Sequence, residues 1–91
     1  MKAKQIKIDF ADCNQDILLF CAFRYALGRK TYVVGAICDI LRANWDHMPE
    51  NRKKMFKKEI HEAVRMGFAG SEVIDVPEWK SILALKGGDI E

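Results

Sequence analysis

The chain lacks most of what would announce a function. Neither sign of charge is in clear excess: 15 lysines and arginines face 13 aspartates and glutamates, a net charge of +2. That balance gives no ground for nucleic-acid binding from charge alone. Long apolar runs are missing. The two longest, Ile17 to Phe23 and Tyr32 to Cys38, fall far short of the ~20 residues that cross a membrane. The opening Met1-Lys2-Ala3-Lys4-Gln5-Ile6-Lys7 has no apolar centre of the kind a signal peptide needs. The cysteines, Cys13, Cys21 and Cys38, are odd in number and form no C-x-x-C pair. A disulfide framework is thereby disfavoured, and reduced, buried thiols are expected. His47 and His61 stand at no ligand spacing from a cysteine, and nothing local pairs a histidine with Cys13 as a nucleophile. No repeat, low-complexity tract or linker divides the chain. These absences lead us to expect a soluble cytoplasmic protein without a catalytic constellation, metal or cofactor.

What is present is a helical pattern. With 91 residues and 49% apolar content, one domain with a single modest core is expected. Ile6, Ile8 and Phe10 alternate with Lys7 and Asp9, so residues 1–10 read as a short extended arm, paired in an oligomer or laid against helices. Residues 11–86 read as the helical core and 87–91 as a frayed tail. Helix 1 starts at a cap, Asp12 or Asn14, and ends at Leu27 before Gly28. Its expected inward stripe is Ile17, Leu18, Phe20, Cys21, Tyr25 and Leu27. Helix 2 follows a Gly28-Arg29-Lys30 turn and runs from a Thr31 cap to about Ala43. It is apolar on most sides, which predicts a central position and a homodimer or higher oligomer. Gly35 within it costs about 1 kcal/mol against alanine, a cost that a closely crossing helix would explain. Helix 3 runs from about Pro49 to Met66, with Met55, Phe56, Ile60, Ala63 and Val64 inward. Helix 4 covers about Val76 to Lys86 behind an Asp75…Glu78 capping box, and Gly87-Gly88 stops it. The fold class is therefore all-α, a compact four-helix domain with a short N-terminal arm.

Two polar clusters are candidate binding sites. The first is the helix 1–helix 2 junction: Arg24, Tyr25, Arg29, Lys30, Thr31 and Tyr32. A helix start carries unpaired N–H groups and partial positive charge, so cations gathered there favour a phosphate or carboxylate. Two tyrosines offer stacking faces beside it. The plainer alternative has Arg24 clamp Asp39, Asp75 or Glu78 while Arg29 and Lys30 are solvated. The second cluster is a basic outer face on helix 3, formed by Lys54, Lys57, Lys58, His61 and Arg65, which could follow a nucleic-acid backbone. Glu59 and Glu62 interrupt it. A helix-turn-helix across the Gly28 turn is disfavoured, because Tyr32, Val33, Val34, Ala36 and Ile37 would make an apolar recognition helix. Trp45 and Trp79 are read as packing residues, and as interface anchors if exposed.

The segment from Arg24 to Tyr32 resembles the R-Y-A-L-G-R-x-T-Y signature of a family of small phage and prophage proteins. The resemblance covers roughly residues 15–83 and includes Glu59-Ile60, Gly67, Gly70, Asp75 and Trp79. Ser71 stands where that family commonly has an acidic residue. The resemblance carries over no catalytic residue. It implies a phage-type accessory protein that binds a host component, such as an antiviral defence complex of the CRISPR kind, a polymerase or a signalling nucleotide. A helical DNA-binding regulator is the alternative.

Overall fold

A computed structural model describes residues 6–27, 32–66 and 76–89. Four helices make up the domain: α1 (Cys13–Leu27), α2 (Tyr32–Asn44), α3 (Glu50–Met66) and α4 (Val76–Leu83). No strand occurs among the described residues. The all-α, four-helix expectation is met.

Local chemistry explains where the helices begin. The Asp12 carboxylate accepts the Asn14 N–H at 2.9 Å, so Asp12 is the cap of α1. Gln15, three residues on, donates to the same carboxylate at 3.2 Å and accepts the Asp9 N–H at 2.9 Å. The arm is thus tied to the first turn. At the start of α3 the Pro49 carbonyl accepts from the Arg52 and Lys53 N–H groups at 3.0 and 3.1 Å. The ring has no N–H to lose there, and proline suits the position. The caps expected at Thr31 and Asp75 lie outside the described residues.

The core gathers Leu19, Phe23, Ala26 and Leu27 from α1, Val34, Ile37, Cys38 and Leu41 from α2, Phe56, Ile60 and Ala63 from α3, and Trp79 and Ile82 from α4. Phe23 is its centre. The ring meets Phe56 edge-on at 4.9 Å and Trp79 at 5.4 Å, both favourable aromatic geometries. Trp45 and Trp79 are both buried, as expected of packing residues. Trp45 Nε1 donates to the Lys86 carbonyl at 2.7 Å, whereas Trp79 Nε1 has no partner among the described residues. α1 and α3 run parallel, in step along their lengths: Asp16 meets Arg52, Phe20 approaches Phe56, and Arg24 meets Glu59.

Several expectations are corrected. Leu27 is inward as expected, but its companions on the inward face of α1 are Leu19, Phe23 and Ala26, while Ile17, Leu18 and Tyr25 stand 58%, 68% and 59% exposed. α1 is apolar on two sides, so periodicity alone left its rotation open. Cys13 and Cys21 are exposed, and only Cys38 is a buried thiol. No described atom lies within 4 Å of where a Cβ on Gly35 would sit, so no helix crosses there. α4 ends at Leu83, three residues early. Finally, residues 87–89 lie against α3. The Glu50 carboxylate accepts the Gly88 N–H at 2.5 Å. Gly87 and Gly88 have φ of 96° and 68°, and a Cβ on Gly88 would stand 2.6 Å from the Lys53 backbone. Residues 90–91 lie outside the described residues.

The arm rests on the end of α2. Asn44, fully buried, accepts the Ile8 N–H and donates to the Ile6 carbonyl, each at 2.8 Å, while also donating to Ile40 in its own helix. One side-chain amide thereby satisfies the arm as a neighbouring strand would. His47 Nε2 adds a contact to the Ile8 carbonyl at 2.9 Å, and Phe10 lies over its ring.

Candidate functional site: a basic stripe on one helix

The parallel pairing of α1 and α3 decides where the candidate residues fall. Arg24, in the last turn of α1, is exposed and forms an ion pair with Glu59 of α3. It does not clamp Asp39 or Glu78. Arg42 takes that role, donating to Asp39 at 2.6 Å, Glu78 at 3.3 Å and the Ser81 hydroxyl at 2.8 Å. Burial works against the Arg42 charge, but the hydrogen bonds to Asp39 and Glu78 outweigh it and hold the guanidinium above its ordinary pKa. Tyr25 is exposed beside Arg24 on the outer side of α1. Arg29, Lys30 and Thr31 lie outside the described residues, as does the side chain of Tyr32.

The basic face of α3 is smaller than expected, and better ordered. Lys57 does not belong to it. Its side chain is 3% exposed and its ammonium is hydrogen-bonded to the Leu85 carbonyl, with Asp89 at 3.4 Å and the Trp45 ring at 5.8 Å. Position 57 lies on the side of α3 turned toward the chain after α4, so a long side chain there is drawn inward to satisfy a backbone carbonyl of that segment. Lys54, Lys58, His61 and Arg65 are exposed. At 100° per residue these four fall within about 60° of arc, opposite the core. Between Lys54 and Arg65 they span about 17 Å. Among the described residues, Lys54, Lys58 and Arg65 form no ion pair.

Of the two acidic residues that interrupt this face in sequence, one is diverted: Glu59 is occupied by Arg24. Glu62 remains exposed on the side nearer α1. The Arg24–Glu59 pair lies on the side of α3 turned to α1, whereas the stripe faces away from the core, so among the described residues the two candidate clusters stay separate.

A third feature was not anticipated. Arg52 grips Asp16 with Nε at 2.9 Å from both carboxylate oxygens and Nη2 at 2.5 Å from one. Asp16 is only 8% exposed. This hydrogen-bonded contact raises the Arg52 pKa above its ordinary value. The pair floors a cleft of about 140 Å³ walled by Ile17, Phe20 and Met55. Its only sequence signal is an aspartate in the first turn of an apolar helix, and a partner 36 residues away is not legible from that.

Among the described residues no group of histidine, cysteine, aspartate and glutamate could hold a metal ion, and no helix is long and apolar enough to cross a membrane. No protein family, curated protein or solved structure matches the chain.

Proposed function

We propose that this is a small non-enzymatic, phage-type binding protein that acts in the host cytoplasm by engaging an anionic surface of a host component, an antiviral defence complex being the leading candidate. The observation that carries the binding half of this reading is the stripe Lys54, Lys58, His61 and Arg65. Cations aligned over three turns, with neighbouring Glu59 already neutralised by Arg24, make a surface that gains by meeting carboxylates or phosphates. The phage and defence context rests on the resemblance of residues 24–32 alone. Arg29, Lys30 and Thr31 extend the same reading to the junction, where a helix start favours an anion.

The test is an infection assay with the triple variant Lys54→Glu, Lys58→Glu, Arg65→Glu, folding being checked by circular dichroism. All three residues are exposed, so the fold should survive while the effect on the host is lost. Full activity in the triple variant sinks the reading. A small phosphorylated ligand is a version of the same proposal. It requires the melting temperature to rise in a panel of cyclic and linear nucleotides, since a ligand held only by the native state stabilises it.

The DNA-binding alternative gains support from the same stripe, because its spacing lets several side chains touch one phosphate backbone. It predicts duplex affinity that falls with salt at a log–log slope of about −3 for three or four contacts. Absence of duplex binding at low salt removes it.

A further inference from the structure

The α3 stripe holds three fixed cations and one side chain that titrates. Lys54, Lys58 and Arg65 stay charged across the physiological range, whereas an imidazole changes charge between about pH 5 and 8. His61 is exposed and stands between Lys58 and Arg65, about 4.5 Å along the helix axis from one and about 6 Å from the other. An anionic partner that touches both of them has to pass over position 61.

Lys58 and Arg65 flank His61 on the outer arc. Lys57, one turn back, turns its ammonium away to the Leu85 carbonyl and to Asp89 of the segment after α4. Glu62 projects about 100° further round the helix, and Glu59, on the α1 side, is held by Arg24. Among the described residues His61 enters no ion pair. An anion laid over the stripe is then the first opposite charge to face the imidazole.

We propose that His61 couples anion binding by this surface to proton uptake, so that the protein holds an anionic partner more tightly as the pH falls. An anion close to the ring stabilises the imidazolium, so the bound state takes up a proton that the free state lacks. The added affinity is complete at a pH where the free imidazole is already charged. It is lost as the pH rises past the point where the bound imidazole gives up its proton. Resting on the anion-binding reading of α3, this coupling makes the stripe a surface of three charges or of four, according to pH.

Fluorescence anisotropy of the full chain with a labelled heparin fragment tests this, because the sulfates of the probe keep their charge over the range used. Binding should tighten roughly two- to fivefold from about pH 7.5 to about pH 5.5. The log–log salt slope should steepen by about one over the same interval, as a fourth contact is added. His61→Gln should lose both changes, and His61→Lys should bind equally at the two pH values. His47→Gln, altered at the other histidine of the chain, should keep the full response. Both histidines are exposed, so the fold should be retained, with circular dichroism as the check. Equal affinity of the parent protein at the two pH values, or a His61→Gln variant that still tightens in acid, overturns the coupling and leaves the stripe as an anion site. No heparin binding at either pH in low salt overturns the anion-binding reading, and the coupling with it.

Discussion

Two arginines on the α1–α3 boundary look alike in sequence and differ in energetic weight. Arg24 and Glu59 form a pair in which the arginine is mostly in water, and such pairs contribute about 0–1 kcal/mol. Arg52 and Asp16 form a two-pronged contact with the carboxylate nearly out of solvent. Removing the arginine leaves a buried anion without a partner, a loss of about 2 kcal/mol once the partial exposure of Arg52 is allowed for. Arg24→Ala should therefore hardly move the urea midpoint, while Arg52→Ala lowers it clearly. Equal shifts would refute the difference in burial on which this rests. The contrast also marks what the sequence could reveal of single residues. Asp12 as a cap and Pro49 at a helix start were legible, because each acts on backbone within four residues. Glu59 as the partner of Arg24, Glu78 as a partner of Arg42 and Asp16 as the partner of Arg52 were not, because they lie 35 or 36 residues away and depend on how the helices dock.

At the scale of elements, all four helices were legible from apolar spacing, and the starts of α1 and α3 from Asp12 and Pro49, whereas α4 ends at Leu83, before its glycines. Rotation about the helix axis was legible only where one face was clearly polar. α3 has such a face, and Phe56, Ile60 and Ala63 are buried as its spacing implied. α1 has apolar residues on two sides, so the side turned to the core was settled by Phe23 meeting Phe56 and Trp79. The candidate site follows the same division. The stripe on α3 was readable except at Lys57, which is drawn inward by a carbonyl of the segment that follows α4. The dock of residues 6 and 8 was not readable, since nothing near Asn44 in sequence signals that its amide serves them. Asn44→Ala removes three hydrogen bonds from a buried site, at a cost of about 1–3 kcal/mol. The arm should then be cut readily by trypsin after Lys7 under native conditions. Unchanged resistance would mean that His47 and Phe10 hold it alone.

For the molecule as a whole, stability depends on closing contacts made far apart in sequence. The segment after α4 is fixed by Trp45, Lys57 and Glu50, and its backbone passes so close to Lys53 that only glycine fits at position 88. Gly88→Ala combines a positive φ with a backbone clash, for a loss of about 1–3 kcal/mol. In a domain of this size each kcal/mol corresponds to roughly 4–8 °C in melting temperature. A variant melting within a degree of the parent would show that residues 87–89 contribute little. Gly35→Ala, with open space around it, should instead leave stability unchanged or raise it.

The seven residues from Asn44 to Glu50 hold both ends of the described chain at once. Asn44 and His47 receive the arm, while Trp45 and Glu50 receive the segment that follows α4. A connection between helices is ordinarily the part of a protein most tolerant of change. Here it is a shared fastening: any motion that loosens it releases front and back together. Local opening at one end therefore cannot remain private to that end, and a domain with a small core behaves as a single cooperative unit in place of one that peels from its edges.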